Sequence, residues 1–479
     1  MKVSLERDLI EGKERFDVFD KYTHEKIDSL PSMTTSDVDA AVGASLKSVP
    51  EIGELSTYRR REIIEDVASS IIRESKGLVE TLVSESGMCL RDAEFEIKRS
   101  ANILKMYASD ALRLQGDALT LDADARGFKR HGYWFRVPAG VVGAISAFNN
   151  PLVLLAHKLG PAFAAGNPVL FKPASLTPLA AIRVSQMFIE AGIPKGALSV
   201  LTGSGKLLVP AIASNPSVRV ITFTGGKETG EEIARVAGAK RLLMELGSNC
   251  PNIVCADADM DFAVKNLIGA SYSYQGQNCL HGQRILVQDT IYEQFKEAFI
   301  EGTSKLRMGD PRSQSTDIGP MITESAAKRV EEWVKEANKM GAKLLLGGNR
   351  SKTSFFEPTL FEDVPLNARI SCQEVYGPVS ILIRFSNFRE AIKISNDSDF
   401  GLQAGLFTHR MENALYAART LQFGAVMVNE SSDFRVDMMP FGGFKGSGLG
   451  REGAKNAIDA MTEIKCLVYN LNRLENDLV

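Results

Sequence analysis

The chain has 479 residues, of which 44% are hydrophobic and 24% are charged. This composition is ordinary for a globular protein, and the length suffices for about three domain-sized units. The 59 acidic residues nearly balance the 56 basic ones, which leaves a net charge of -3. We therefore expect no electrostatic field that recruits nucleic acid or an anionic membrane, so a charged substrate has to be held by local groups.

The first residues and the cysteines both favour a reducing, cytoplasmic location. Residues 1–8 carry charges where a signal peptide needs an apolar run, so we expect no secretory leader. The six cysteines lie at positions 89, 250, 255, 279, 372 and 466. They form no C-x-x-C pair and no metal-ligand spacing with the five histidines, so no metal site is predicted.

Helical and strand patterns alternate along the chain without repeats. Residues 58–74 place apolar side chains on one helical face, and residues 94–115 continue the helical character, which predicts packed helices. The apolar region 137–171 is interrupted by polar residues such as His157 and Lys158 before about 18 apolar residues accumulate, so it is not a membrane span. From there strands are predicted at 169–171 and 218–223, and helices at 179–191 and 228–237.

A second alternating block follows, with predicted strands at 284–288, 379–384, 403–408 and 425–429 and helices at 291–307 and 325–340. Strands that alternate with helices favour parallel, doubly wound sheets. The predicted fold class is therefore α/β, with two doubly wound lobes. Two strand-like pieces, 131–136 and 463–469, lie outside both blocks and are either edge strands or a separate arm.

Cys279 and Glu245 form the most informative pair of residues. Cys279 lies in a polar, glycine-bearing segment that suits an accessible thiol. A thiolate adds to a carbonyl carbon and leaves afterwards, and a carboxylate can draw a proton from water. The pair therefore indicates covalent catalysis through an acyl intermediate. For Cys279 alone the alternative is an unreactive core thiol, which is the expectation for Cys89, Cys255 and Cys466.

A glycine pair follows the predicted strand 218–223. Gly225 and Gly226 come directly after Phe223 and Thr224, at the start of a helix, where free backbone N–H groups can hold a pyrophosphate. The alternative is a tight turn that needs glycine for a positive φ. Lys172 leaves the end of another predicted strand, where its ammonium can bind ribose hydroxyls, unless it is a snorkelling surface lysine.

With Asn149 and Glu374, which stand in Phe-Asn-Asn-Pro and Glu-Val-Tyr-Gly-Pro segments, these residues closely resemble the aldehyde dehydrogenase superfamily. The resemblance implies NAD or NADP as the cofactor. It also implies that Cys279 is the nucleophile, Glu245 the hydrolytic base and Asn149 an oxyanion donor. Glu374 is then the residue that holds the nicotinamide ribose, and Tyr376 packs beside the ring.

The same resemblance implies the domain organisation and a homodimer or homotetramer. The lobes become a Rossmann-like cofactor domain and a catalytic domain, and the two outlying strands become an oligomerisation arm. We expect a dinucleotide-binding domain over 1–117 and 138–246, a catalytic domain over 247–450, and the arm with the C-terminal segment over 118–137 and 451–479.

Two positions depart from the family in ways that concern the cofactor. Ser175 stands where many NAD-preferring members have a glutamate that grips the ribose hydroxyls and repels a 2′-phosphate, so we expect NADP to be tolerated, with Lys172 and Lys227 as cationic partners. Gly226 stands where serine is usual. Residues 448–453 match G-x-G-x-x-G, but they follow a loop and not a strand, so they are rejected as the nucleotide site.

The aldehyde is indicated by the segment before residue 440, which in the family lines the entrance. Arg435 there can fork onto an anionic group, with Arg99 and His281 as secondary candidates. The alternative is that Arg435 pairs with Asp433 or Asp437. This stretch also resembles the lactaldehyde and phosphonoacetaldehyde dehydrogenase branch, so a short polar or anionic aldehyde is the hypothesis.

Two competing functions remain open. One is a CoA-acylating aldehyde dehydrogenase, which Glu245 argues against because that base serves hydrolysis. The other is a catalytically silent protein on the same scaffold, which has no need of the whole set of site residues.

Overall fold

The structure is a computed structural model that describes residues 14–114, 116–351 and 353–471. The initial segment that argues against a leader, and residue 115 at the end of a predicted helix, lie outside this range. Within it, no helix is both long and apolar enough to cross a bilayer. No group of three or more His, Cys, Asp and Glu side chains in the same range is placed to hold a metal ion.

The helices α1–α15 are, in chain order, Thr35–Glu54, Thr57–Arg73, Ser75–Ser86, Leu90–Ala111, Pro151–Ala164, Leu179–Glu190, Gly205–Ser214, Lys227–Ala237, Met260–Tyr272, Tyr292–Ser304, Glu324–Lys339, Arg369–Cys372, Phe388–Asn396, Met411–Thr420 and Ala454–Ala460. The strands β1–β22 are Arg15–Phe19, Lys26–Pro31, Asp117–Leu119, Arg130–Pro138, Val141–Ile145, Val169–Lys172, Leu198–Val200, Val218–Thr224, Arg241–Glu245, Pro251–Val254, Arg284–Gln288, Lys343–Leu346, Arg350–Ser351, Phe355–Phe356, Thr359–Glu362, Val379–Phe385, Phe400–Gly401, Gln403–Phe407, Ala425–Val428, Phe444–Lys445, Gly448–Leu449 and Thr462–Asn470.

The first lobe is built on a six-stranded sheet of order β21-β9-β8-β5-β6-β7. Its strands are parallel except β21, which pairs antiparallel with β9. Every residue of β5 is buried, as expected for a central strand covered by helices on both faces. One core lies against α2, α4, α5 and α6, and a second includes residues of α1, α7 and α8.

The second lobe contains a seven-stranded sheet of order β12-β15-β16-β11-β10-β18-β19, in which only the β12–β15 pairing is antiparallel. The prediction of two α/β lobes with mainly parallel sheets is therefore confirmed. The strand order of each sheet was not predicted, because neighbours such as β5 and β8 are far apart in the chain.

The two outlying strands pair with each other. β22 runs antiparallel to β4 from Thr462 to Asn470, and β3 adds a third strand on the other side of β4. Ile464 and Val468 on β22 are about half exposed, at 58% and 48%. Cys466 on the same strand is also exposed, so its expected place in a core is wrong, whereas Cys89 and Cys255 are buried as expected.

Candidate functional site

A single large cleft, of about 1370 Å³, brings most of the predicted site residues together. Its lining comes from the segments that follow β5, β6, β8 and β9 and from the segments that precede β11 and β16. In the first sheet, β5 lies between β6 and β8, so the strand order changes direction there. Ligands of doubly wound sheets bind at the carboxyl ends of the strands beside such a reversal.

Cys279 lines this cleft and is partly exposed. Its loop begins with three successive residues of left-handed backbone, Tyr274, Gln275 and Gly276, with φ of 53°, 57° and 65°. A Cβ on Gly276 would lie 2.2 Å from the carbonyl oxygen of Gly377, so only glycine fits there. The turn therefore holds the thiol segment against the loop that enters β16.

We expect Gly276→Ala to destabilise the fold by about 2 kcal/mol or more and to remove most activity, because a Cβ is both strained at this φ and blocked by Gly377. Gly77→Ala is the matched control, since this glycine of α3 has no positive φ, its Cβ would meet nothing within 4 Å, and it is not among the described residues that line the cleft. Thermal unfolding and turnover of both variants test this. Equal behaviour of the two glycines contradicts it.

Glu245 ends β9 and also lines the cleft, with 5% of its surface exposed. Its Oε2 is buried and has no hydrogen-bond partner in the described part of the chain. Burial, together with the nearby charge of Glu452, raises the pKa of Glu245 well above its usual range. The carboxyl group is thus suited to exchanging a proton rather than to forming a permanent ion pair.

Behind Glu245 lies a buried ionic cluster that the sequence motifs did not reveal. Lys158 Nζ donates to Thr224 Oγ1 at 2.7 Å and lies 3.5 Å from Glu452 Oε1, while Arg435 Nη2 lies 3.3 Å from Glu452 Oε2. Burial opposes ionisation of Glu452, but His157, Lys158 and Arg435 outweigh it and lower its pKa to about 2. Within the sequence, the only signal was that His157 and Lys158 interrupt an apolar segment.

Asn149 immediately precedes the N-cap of α5, lines the cleft and is 9% exposed. Its neighbour Phe148 accepts a hydrogen bond from Thr177 Oγ1 at 3.2 Å and meets Tyr376 edge to face, with ring centroids 5.7 Å apart. Tyr376 also lines the cleft and has a φ of 47°. The loops after β5 and before β16 are therefore in direct contact beside the cleft.

Glu374 is anchored by the backbone that follows Glu245. Its Oε1 accepts a hydrogen bond from the Ser248 N–H at 2.8 Å, and a Cβ on Gly247 would lie 2.4 Å from its Oε2. Burial raises the pKa of Glu374 to about 7. The glycine thus makes room for the carboxyl group at the edge of the cleft.

Arg329 on α11 is a cleft residue that no sequence motif indicated. It donates to the Val375 carbonyl at 2.7 Å, and its guanidinium lies over the ring of Trp333 at 4.9 Å. Arg369 lies over the same ring, at 5.1 Å. This stacked arrangement places a cation beside the segment that carries Glu374.

The turn after β8 contains glycine for a different physical reason from the positive φ that the sequence analysis considered. A Cβ on Gly225 would lie 2.4 Å from the Phe223 ring, whereas neither Gly225 nor Gly226 has a positive φ. The positive-φ alternative is therefore wrong: Gly225 is required by packing. Gly226 is the N-cap of α8 and, lacking a side chain, makes no capping bond, so the start of this helix, whose first residues line the cleft, is not blocked by a cap.

Lys172 and Ser175 lie together at the end of β6. Lys172 Nζ donates to the Pro173 carbonyl at 2.8 Å and to Ser175 Oγ at 3.3 Å, and Ser175 Oγ donates to the Gly203 carbonyl at 2.6 Å. Lys172 is 4% exposed and burial lowers its pKa to about 8, so it is not a snorkelling surface lysine. Lys227 lines the same cleft, 3.5 Å from Asp399.

The three residues predicted to contact the substrate differ in their positions. Arg435 and Arg99 line the cleft, but both are paired: Arg99 donates to Asp437 through two nitrogens, and Arg435 lies 3.5 Å from Asp437 besides its contact with Glu452. The pairing of Arg435 with Asp437 is therefore confirmed. His281 is 4% exposed and is not among the described residues that line the cleft, so its expected place beside the substrate is wrong. The chain folds it inward ahead of β11.

The family follows from comparison with known proteins. The profile described as "Aldehyde dehydrogenase family" matches residues 9–467, and the chain belongs to this family. It is 40% identical over 458 residues to 3-sulfolactaldehyde dehydrogenase of Priestia aryabhattai, covering 96% of this chain and 95% of that one. The resemblance found in the motifs is thus confirmed, and the protein is an aldehyde dehydrogenase.

Solved structures give the same result for the whole fold. Aldehyde dehydrogenase 21 of Physcomitrella patens, in complex with the reaction product succinate, superposes with a TM-score of 0.93 at 38% identity and covers 96% of each chain. Glyceraldehyde-3-phosphate dehydrogenase of Methanocaldococcus jannaschii, complexed with NADP, gives a TM-score of 0.92 at 36% identity, covering 96% of this chain and all of that one.

Proposed function

We propose that the protein oxidises a short polar or anionic aldehyde to the carboxylic acid with NAD or NADP, through a covalent bond to Cys279. The observation that carries this proposal is the shared cleft: the thiol of Cys279, the carboxyl group of Glu245 and the amide of Asn149 line the same space as the unblocked start of α8. A cysteine without a catalytic role does not require a carboxyl group, an amide and a helix start in the same cleft.

Cys279 supplies the nucleophile. Desolvation raises the pKa of Cys279 above its usual range, so the resting group is the thiol, and its proton passes to solvent as sulfur bonds to the carbonyl carbon. The carbonyl oxygen becomes an oxyanion, to which the Asn149 amide and the Cys279 backbone N–H donate, each donor contributing about 3 kcal/mol in comparable sites. A bound nicotinamide would supply the hydride acceptor for the aldehyde carbon, which would leave the Cys279 sulfur in a thioester.

Glu245 then completes the reaction as a general base. It takes a proton from water as the water oxygen bonds to the thioester carbon. The carbon–sulfur bond then breaks, and Glu245 returns this proton to the Cys279 sulfur. A carboxyl group whose pKa is raised by burial accepts this proton more readily than an exposed one. The product is the carboxylic acid, and no CoA is needed.

The cofactor is held by groups that fit a dinucleotide. The N–H groups at the start of α8 suit the pyrophosphate, and Lys172 with Ser175 suits the adenosine ribose. No carboxylate forms an ion pair with Lys172 among the described residues, so its charge is available to a 2′-phosphate. NADP therefore fits at least as well as NAD, and the related structure with NADP supports this.

Ser175→Glu is expected to lower kcat/KM with NADP about 10- to 100-fold relative to NAD, because a carboxylate repels the 2′-phosphate. Ser175→Ala removes the hydroxyl without adding charge and serves as the control. Initial rates with NADP and with NAD give the ratio of the two kcat/KM values for each variant. An unchanged cofactor ratio in Ser175→Glu refutes the assignment of this end of the cleft.

Arg435 and Arg99 are the proposed contacts for an anionic group of the aldehyde. The relatives named above include a sulfolactaldehyde dehydrogenase and a structure with bound succinate, whose ligands carry such groups. Because both arginines already pair with carboxylates, an incoming anion competes with Asp437 and Glu452 for them. The affinity gained is then the difference between the two pairings.

Arg435→Met is expected to lower kcat/KM for succinate semialdehyde about tenfold more than for butanal, because only the former presents an anion to the guanidinium. Arg113→Met is the control, since this arginine is 77% exposed and is not among the described residues that line the cleft. Equal losses with the two aldehydes remove Arg435 from substrate recognition.

One experiment tests the function as a whole. Absorbance of reduced nicotinamide is followed with NAD and NADP against short aldehydes, with and without CoA, and the acid product is quantified. We expect acid formation without CoA. A requirement for CoA indicates the acylating reaction, and no formation of NAD(P)H with any aldehyde supports a non-catalytic scaffold.

The exposed apolar residues of the β4–β22 arm support a homodimer or homotetramer. Light scattering of the same preparation measures the oligomeric state.

A further inference from the structure

The cations at the aldehyde end of the cleft are already matched by anions. This end comprises the cleft residues around Cys279, on α4 and in the loop 433–435. Arg99 lies 2.7 Å from Asp437, and Arg435 lies 3.3 Å from Glu452. The two positive charges are thus offset within the protein.

Two further carboxyl groups, Asp92 and Asp433, line the same end of the cleft. Asp433 accepts a hydrogen bond of 2.5 Å from the side chain of Asn278, the residue before Cys279. Asp92 is 7% exposed, and its Oδ2 has no hydrogen-bond partner within the described chain. The cation nearest to it is Arg91, at 3.5 Å, whose side chain is 63% exposed.

The hydrogen-bonding capacity of these carboxyl groups is only partly used. Asp92 Oδ2 has no donor among the described residues, and Asp433 accepts from Asn278. Burial raises the pKa of Asp92 and of Asp433 to about 6, so both are mainly ionised at neutral pH and accept hydrogen bonds. A buried carboxylate oxygen without a donor is unfavourable, and a ligand that supplies O–H or N–H groups relieves this cost. Asn278 Oδ1 lies 3.7 Å from Cys279 Sγ, and Asn278 Nδ2 donates to Asp433, so a single side chain links Asp433 to the thiol.

We propose that Asp92 and Asp433 form a subsite for a hydrogen-bond donor of the aldehyde, so that the preferred substrate carries a hydroxyl or ammonium group close to its carbonyl. This inference rests on the proposed aldehyde oxidation. Asp92 and Asp433 then determine the specificity for a hydrogen-bond donor, whereas Arg435 is the proposed contact for an anionic group. An aldehyde that has only an anionic group supplies no donor to Asp92 Oδ2 and none beyond Asn278 to Asp433.

Matched aldehydes test the subsite. Lactaldehyde and propanal differ by a hydroxyl group, and aspartate semialdehyde and succinate semialdehyde differ by an ammonium group. A hydrogen bond to a charged group corresponds to about 10- to 100-fold in kcat/KM. We expect at least a tenfold preference for the donor-bearing member in one of the pairs, and the pair that shows it identifies the donor. Equal kcat/KM within both pairs overturns the inference.

Variants separate recognition from folding. Asp433→Ala should bring the preferred ratio towards one, and Asp433→Asn, which keeps an acceptor oxygen, should restore part of a hydroxyl preference but not an ammonium preference. Asp92→Ala is the second test, in case Asp433→Ala does not fold, which the unfolding midpoint reveals. Asp122→Asn, at an exposed position that does not belong to the described cleft lining, is the control.

The outcome distinguishes the two proposals. NAD(P)H formation that depends on Cys279 but is equally efficient with all four aldehydes overturns the donor subsite alone. A donor preference that survives unchanged in both alanine variants also overturns it. Absence of NAD(P)H formation from every aldehyde contradicts the aldehyde oxidation itself.

Discussion

Cys279→Ala is expected to abolish aldehyde oxidation, with kcat lowered on the order of 10⁴-fold or more, because no other group in the proposed mechanism can bond to the carbonyl carbon. Cofactor binding should persist, since Cys279 is not among the proposed cofactor contacts. Steady-state turnover and quenching of protein fluorescence by NADPH measure the two properties separately.

The control for this variant is Cys372→Ala. Cys372 is exposed and also lines the cleft, so this variant removes a second accessible thiol of the cleft. We expect Cys372→Ala to keep at least half of the activity. If Cys279→Ala turns over aldehyde at the rate of the unmodified protein, the covalent mechanism is refuted.

Glu245→Gln is expected to separate the two halves of the reaction. The thioester still forms, so one equivalent of NAD(P)H per active site appears in a burst, but steady turnover falls about 10²- to 10⁴-fold because no base activates water. The pH dependence follows from the raised pKa of Glu245. The base form is populated only above this pKa, so in the unmodified protein hydrolysis slows as pH falls through it, and in Glu245→Gln this dependence disappears.

Rapid-mixing absorbance at several pH values measures both the burst and the steady rate. Glu232→Gln is the matched control, because Glu232 is exposed and lines the cleft. It should leave the burst and the steady rate unchanged. A Glu245→Gln variant that hydrolyses its thioester as fast as the unmodified protein assigns the base elsewhere, and the buried Glu452 is then the next group to test.

Much of the fold was predictable because its signals are local. The strands that became β8 and β16 are apolar runs with β-branched residues, and the helices α6 and α8 follow β6 and β8 as expected. The candidate site was predictable in part for the same reason: Cys279, Glu245 and Asn149 each stand in a short recognisable segment, and the structure places all three in one cleft.

The errors concern residues whose environment depends on distant parts of the chain. His281 has a polar, glycine-bearing context, yet it is buried. Gly225 is required by the ring of Phe223 and not by its φ. Arg435 contacts Glu452 and His157, and Lys158 donates a hydrogen bond to Thr224. The spacing of these residues along the chain does not indicate any of these contacts.

By itself, the sequence determined which segments become strands and helices, the family, and the groups that can react, because side-chain chemistry and hydrophobic periodicity are properties of short segments. Only the tertiary structure decided which charges are paired and which polar atoms are left without partners. Pairing depends on which loops meet at the strand ends, and burial then sets the cost of every charge that remains.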